Sequence, residues 1–151
     1  MFSIAALQES DIADMYHEVH KSQAQLEELG WVAHCSWDLF YRHYCAIVVQ
    51  KKLNIFAIRV DGKYAGSVEV ADKIDHYIVG YWLGSDYRGQ GVATEAVRSV
   101  IKQFKDKPIL ADTLTTNPKS AKVLERLNFL LERTTKTNNF YRFVNYGVDK
   151  V

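Results

Sequence analysis

Glycine spacing near the middle of the chain offers the first chemistry. In Tyr81-Trp82-Leu83-Gly84-Ser85-Asp86-Tyr87-Arg88-Gly89-Gln90-Gly91-Val92-Ala93-Thr94 an apolar strand pattern runs into a glycine-rich turn, and a helical pattern begins directly after it. A helix start leaves backbone N–H groups without partners and carries the positive end of the helix dipole, which together suit a phosphate or diphosphate. Gly89 and Gly91 let the backbone approach such an anion with no Cβ in the way, and Arg88 adds a charge that persists at neutral pH. The same residues also fit a plain turn with a solvated arginine.

A second chemistry competes for the same glycines. Gly89-x-Gly91-x-x-Thr94, with Asp112 about twenty residues on, nearly spells a dinucleotide-binding fingerprint. Against it, Thr94 stands where the third glycine belongs, and the motif sits mid-chain behind a run of hairpin strands. Too little chain follows to build a second nucleotide-binding half. A phosphate-binding Gly-Lys-Ser/Thr run is absent.

The elements that must position these residues follow from periodicity. Phe2–Leu7 reads as a strand, and Ser10 precedes a helical stretch from Asp11 to about Gly30, with a break near Lys21. Ser36 caps another helix, in which Trp37, Phe40, Tyr41, Tyr44 and Val48 recur at helical intervals. Leu53–Val60 and Tyr64–Val70 alternate with period two around an Asp61-Gly62 hairpin turn, and His76–Leu83 is the next strand. The helix after Gly91 carries an apolar stripe of Val92, Ala93, Ala96, Val97, Val100, Ile101 and Phe104. Pro108–Thr113 is a strand, Asn117-Pro118 opens a helix burying Ala121, Leu124 and Leu127, and Asn128 ends it. Phe129–Arg133 and Phe140–Val148 read as closing strands, the last one offering an edge for pairing. These elements make one α/β domain over residues 1–151: a mixed sheet with helices on both faces.

Composition narrows the partners. At 151 residues and a formal net charge of +1, the chain can bury its own core and shows no bias toward nucleic acid or an anionic membrane. Cys35 and Cys45 both fall in one expected helical stretch, about 15 Å apart and too far for a disulfide. No metal is expected. The opening MFSIAALQESD lacks a basic segment and a long apolar run, and no stretch approaches the roughly 20 apolar residues of a membrane span. The expectation is a cytoplasmic protein, monomer or homodimer.

Two separated motifs resemble one family. Arg88-x-x-Gly91-x-Ala93 matches the acetyl-coenzyme A signature of the GNAT acetyltransferases. Tyr81-Trp82-Leu83, Tyr87–Ala96 and Asn117-x-x-Ser120-x-x-Val123-Leu124-Glu125-Arg126-Leu127-Asn128-Phe129 resemble its ribosomal-protein-alanine (RimJ/RimL-like) branch. The specific motifs cover residues 80–129, and the element order extends the likeness over nearly the whole chain.

The resemblance implies a GNAT acyl-CoA N-acyltransferase fold, with mostly antiparallel strands and a splayed central pair. It implies an enzyme that moves acetyl from acetyl-CoA to a primary amine by direct attack through a tetrahedral intermediate. A protein N-terminal amine ranks first as acceptor, possibly ribosomal, ahead of a small polyamine or aminoglycoside; a weakly active CoA-binding module is the alternative. The diphosphate would lie on Arg88, Gly89, Gln90, Gly91, Val92, Ala93 and Thr94. The pantetheine arm would run beside Trp82, Leu83 and Gly84, with the Leu83 N–H as oxyanion donor and Asn117 and Ser120 near the sulfur. Ser120 would protonate the departing thiolate.

An alkyl ammonium titrates near 10.4 and an α-ammonium near 7.7–8.0, so a base is needed beside the acceptor. Glu69 is the first candidate, with Asp72, Asp75 and His76 behind it. The acceptor groove is expected from the segment between the first two strands, where Trp31, Trp37, Phe40, Tyr41, Tyr44, Glu27, Glu28 and Asp38 lie. Two departures from the family pattern stand out. Leu124 occupies the place of a tyrosine acid found in many relatives, and Ile78 the place of an acidic residue frequent in this branch.

Overall fold

The computed structural model describes residues 1–24, 35–51 and 53–144. Within them seven strands form one sheet, β1 Phe2–Ala6, β2 Asn54–Val60, β3 Lys63–Asp72, β4 Tyr77–Leu83, β5 Ile109–Leu114, β6 Phe129–Thr134 and β7 Asn138–Phe143, in the order β1-β2-β3-β4-β5-β7-β6. The helices are α1 Ile12–Lys21, α2 Trp37–Gln50, α3 Val92–Ile101 and α4 Pro118–Arg126. Every neighbouring pair is antiparallel except β4–β5.

Each local signal has a physical counterpart. Asp61 and Gly62 both take positive φ, 50° and 82°, as a tight hairpin with matched twist demands. Ser36 caps α2 by accepting from the Leu39 N–H, and Asn117 caps α4 by accepting from the Ser120 N–H, with Pro118 in its first turn. Asn128 closes α4 at φ 68°.

The sheet separates two apolar layers. Side chains of α3 and α4 pack with Ile58, Val68, Val70, Val79, Leu83 and Phe129 on one face. On the other, α1 and α2 bury Ile12, Met15, Val19 and Phe40 against Ile55, Tyr64 and Trp82. Between β2 and β3 the register slips at Ile58/Arg59, with Ala65 as the extra residue. This bulge moves Ser67 and Glu69 onto the α1/α2 face, where Ser67 Oγ meets Tyr64 and donates toward Met15 Sδ.

Several expectations need correction. The α1 entry is not capped from Ser10, which lies inside a short 3-10 turn, Glu9–Asp11; Asp11 Oδ2 instead accepts from the Gln8 N–H at 2.8 Å. Cys35 precedes α2 rather than lying in it, and both cysteines are free. The last strand starts at Asn138, two residues before Phe140, and its expected stretch beyond Val144 lies outside the described residues. It is also not an edge: β7 inserts between β5 and β6, so the edges are β1 and β6. Strand order is a long-range property that no local pattern carries. Glu27, Glu28, Trp31 and the helix expected up to Gly30 also fall outside the described residues. No described helix is long and apolar enough to cross a membrane.

Candidate active site

The sheet opens where its two parallel strands part. β4 and β5 pair only at Tyr77↔Ile109 and Ile78↔Leu110, and beyond Ile78 no ladder joins them. The direction of the freed β4 amides follows from two hydrogen bonds. Tyr77 N–H donates to Pro108 O on the β5 side at 2.8 Å, whereas Gly84 N–H donates to Ala65 O on the β3 side at 2.7 Å. Because N–H groups alternate along a strand, those of Tyr81 and Leu83 face the β5 side, into the opening. They are available to pair with an extended ligand as a strand would.

At the top of β4 the glycine loop folds as its composition demands. Ser85–Tyr87 makes one 3-10 turn, Gly89 and Gly91 take φ of 77° and 78°, and Gly91 is the N-cap of α3 with no side-chain cap bond. A Cβ built on either glycine would meet nothing within 4 Å, so the space above the helix start is open. Arg88 does not reach outward as a solvated charge; its Nε donates to Leu83 O at 3.2 Å, tying the loop to the strand end. From the other face α1 braces the same loop. Ser22 Oγ accepts from the Ser85 N–H at 3.0 Å, Lys21 pairs with Asp86, and the buried Glu18 carboxylate lies against Gly84.

Two cavities meet here. The first, about 350 Å³, is lined by Tyr81, Trp82, Leu83, Arg88, Gly89 and the first turn of α3, faced by Asn117, Ser120 and the cations Lys119, Lys122 and Arg126 of α4. Those three cations recur at helical spacing, a signal present in the sequence but not read from it. The second, about 390 Å³, runs between β4 and β5 toward the α1/α2 face and includes Glu69, Gly80, Asp112, Thr113 and Asn138. Tyr81, Asn117 and Ser120 line both.

At the junction Asn117 Nδ2 donates to Ser120 Oγ at 3.0 Å, which leaves the serine hydroxyl proton free to donate elsewhere. Tyr81 OH donates to Ser120 O at 3.2 Å, and burial holds its phenol up at about 12, so it stays protonated. The Thr113 hydroxyl is buried in the cleft wall without a hydrogen-bond partner. A polar atom so placed suits a polar group from a ligand.

Glu69 stands at the mouth of the opening. It is half-buried beside Gly80, its partner across β3–β4, and burial raises its carboxyl to about 6. Tyr44 of α2 is near enough for the Glu69 charge to help raise its phenol to about 12, after burial itself. The other acids and the histidine named from sequence sit elsewhere. Asp72 pairs with Lys107, and Asp75 with His76, around the far β3–β4 turn. Asp38 is exposed and paired with Arg42. Phe40 is core, and Tyr41 donates to Glu9 at the surface. Leu124 is fully buried, so no tyrosine acid works from α4. Tyr81, Gly80, Thr113 and Asp112 are the site residues that sequence reasoning left without this role.

Residues 2–130 match the acetyltransferase (GNAT) domain family. The chain belongs to the GNAT acetyltransferases. No curated protein sequence matches it. Among solved structures it is similar to RimL, a ribosomal L7/L12 α-N-protein acetyltransferase, with a TM-score of 0.84 and 20% identity over 95% of this chain and 90% of that one. Mycobacterium smegmatis RimJ, solved with a CoA disulfide, gives 0.82 and 17% over 98% and 84%. Vibrio cholerae spermidine N-acetyltransferase, solved with CoA and spermine, gives 0.77 and 14% over 93% and 92%. The expected seven-stranded mixed sheet with a splayed central pair is thus the GNAT fold.

Proposed function

We propose that this GNAT protein transfers the acetyl group of acetyl-coenzyme A to a primary amine, with a protein N-terminal α-amine as the first acceptor class. One observation carries the reading. An anion cradle of bare amides and a cavity holding a half-buried carboxylate lie side by side, both lined by Tyr81, Asn117 and Ser120. The α-amine ranking rests on the likeness to RimL and RimJ and on the lower proton affinity of an α-amine.

The residues present fit the co-substrate. The α3 N-terminus with Gly89, Gly91 and the α4 cations takes the diphosphate, while the Tyr81 and Leu83 amides and the Thr113 hydroxyl take the pantetheine arm. Acetyl-CoA supplies an activated acyl group. Glu69, ionised above about pH 6, removes the proton from the incoming ammonium directly or through one water. As the new C–N bond forms and the C–S bond breaks, the Leu83 N–H stabilises the charge on the carbonyl oxygen; Ser120 gives its proton to the sulfur and regains one from the acylated nitrogen, directly or through water. The amine is freed near the thioester because both cavities share one wall.

Calorimetric titration with acetyl-CoA and a thiol-release assay across N-terminal peptides and small amines test the proposal. Micromolar binding with amine-dependent thiol release is expected. A folded sample that ignores acetyl-CoA overturns it, and binding without release across the panel points to a CoA-holding module.

A further inference from the structure

The acceptor cavity has a carboxylate on each wall. Glu69 pairs with Gly80 across β3–β4, and Ile78 with Leu110 across β4–β5. Two residues further along each strand, Gly80 stands level with Asp112. Ala111 and Ile109 belong to the α3/α4 layer, so Asp112 projects to the opposite face, the one that also carries Glu69. Glu69, Gly80 and Asp112 therefore form one transverse row with a bare centre, since a Cβ at Gly80 would meet nothing within 4 Å.

The two acids differ in surroundings. Glu69 is half-buried, whereas Asp112 is exposed and held by Asn138, whose Nδ2 donates to Asp112 Oδ2 at 3.0 Å. Among the described lining residues none is Lys, Arg or His. Burial alone raises the proton affinity of Glu69. A site with two carboxylates and no described counter-charge favours a ligand that brings its own.

We infer that the acceptor carries a second cationic group, seated on Asp112 while the reacting nitrogen stands at Glu69. The inference rests on reading this cavity as the acceptor site. Three adjacent strands put the outer Cα atoms about 10 Å apart, more where β4 and β5 diverge. With each nitrogen about 3 Å from its carboxylate, a nitrogen-to-nitrogen spacing of roughly 4 Å remains, and more where the strands diverge. That spacing is met by a four-carbon alkyl diamine or by a basic side chain near a peptide N-terminus. Asp112 makes no bond to reacting atoms and acts as a specificity residue.

The test compares wild type with Asp112→Asn, an exposed and nearly isosteric change, on four acceptors: 1,4-diaminobutane, butylamine, and otherwise identical peptides with Lys or Ala at the second residue. Wild type should favour the dicationic member of at least one pair about fivefold or more in kcat/KM. D112N should remove that preference chiefly by raising KM for the dicationic member, with a smaller change for butylamine. Preference in the diamine pair alone identifies a small amine, and preference in the peptide pair alone a peptide. Equal use of both members of each pair, or a preference that survives in D112N, overturns the inference while leaving acetyl transfer standing. If no acceptor turns over, titrating the same compounds into the CoA-bound protein decides. Asp112-dependent selectivity in binding supports the row, and its absence sinks it.

Discussion

The two cavities that meet at Tyr81 are made from different materials. The cavity under the glycine loop, the proposed cofactor site, offers mostly backbone: amides of α3, amides of β4, and two glycines at positive φ. The cavity beside Glu69, the proposed acceptor site, offers mostly side chains from β3, β5, β7 and α4, brought together by a strand divergence and a bulge. Backbone recognition tolerates almost any side chain at the non-glycine positions but almost no substitution at the glycines. Side-chain recognition has the reverse sensitivity: each contact can be changed singly, and with it the choice of acceptor.

The sharpest way to break this contrast is at Gly91. Valine there must enter the left-handed region at φ 78°, which a β-branched residue rarely adopts, and its side chain fills the open space above the amides. The expected result for Gly91→Val is loss of measurable acetyl-CoA binding by calorimetry in a protein that still folds. Retained micromolar binding would show that the diphosphate is not held by this backbone.

What could be read from the sequence divides along the same line. A tight turn into a helix leaves a local mark, because positive φ favours glycine at fixed spacing; the turn at Gly89 and Gly91 and the helix start after it are contiguous and legible. Glu69 was found as a strand acid near the glycine loop, but its face depends on the Ala65 bulge, which no periodicity announced. Asp112 was noticed only as a match to a dinucleotide fingerprint. Its place level with Gly80 across the opening follows only from the register of β4 and β5 at Tyr77↔Ile109 and Ile78↔Leu110. The place of β7 inside the sheet was missed for the same reason. Gly80 itself gave a usable hint, since a glycine inside a strand often marks a close approach by something else.

The next effect is smaller and falls on the acceptor side. Glu69→Gln should leave acetyl-CoA affinity unchanged and lower kcat by roughly 10²–10⁴, the range for a lost general base. In wild type kcat/KM should rise through about pH 6 as Glu69 ionises, and that limb should vanish in the variant. Stability should move the other way. The folded carboxyl titrates at about 6 against a reference of 4.5, so its favourable contribution is full below 4.5 and lost as pH rises through about 6. Removing the charge should therefore raise stability at pH 8 by about 1 kcal/mol, a few degrees in Tm. A variant that loses activity and stability together would mean that Glu69 is structural.

The smallest effect belongs to the junction. Ser120 Oγ accepts from Asn117, which leaves its own proton available for the leaving sulfur in the proposed reaction. A thiol titrates near 8.5, so a departing thiolate is tolerably stable at neutral pH and can leave with little help, whereas an ammonium cannot attack at all until it has lost a proton. Ser120→Ala should accordingly cost only about tenfold in kcat, with unchanged acetyl-CoA affinity and with the deficit growing as the leaving thiol is made more basic. Asn117→Ala should add a loss of about 1 kcal/mol in stability, because the same side chain caps α4. If Ser120→Ala were as damaging as Glu69→Gln, departure of the thiolate rather than deprotonation of the amine would limit the reaction. The two cavities would then contribute to the rate in the opposite order.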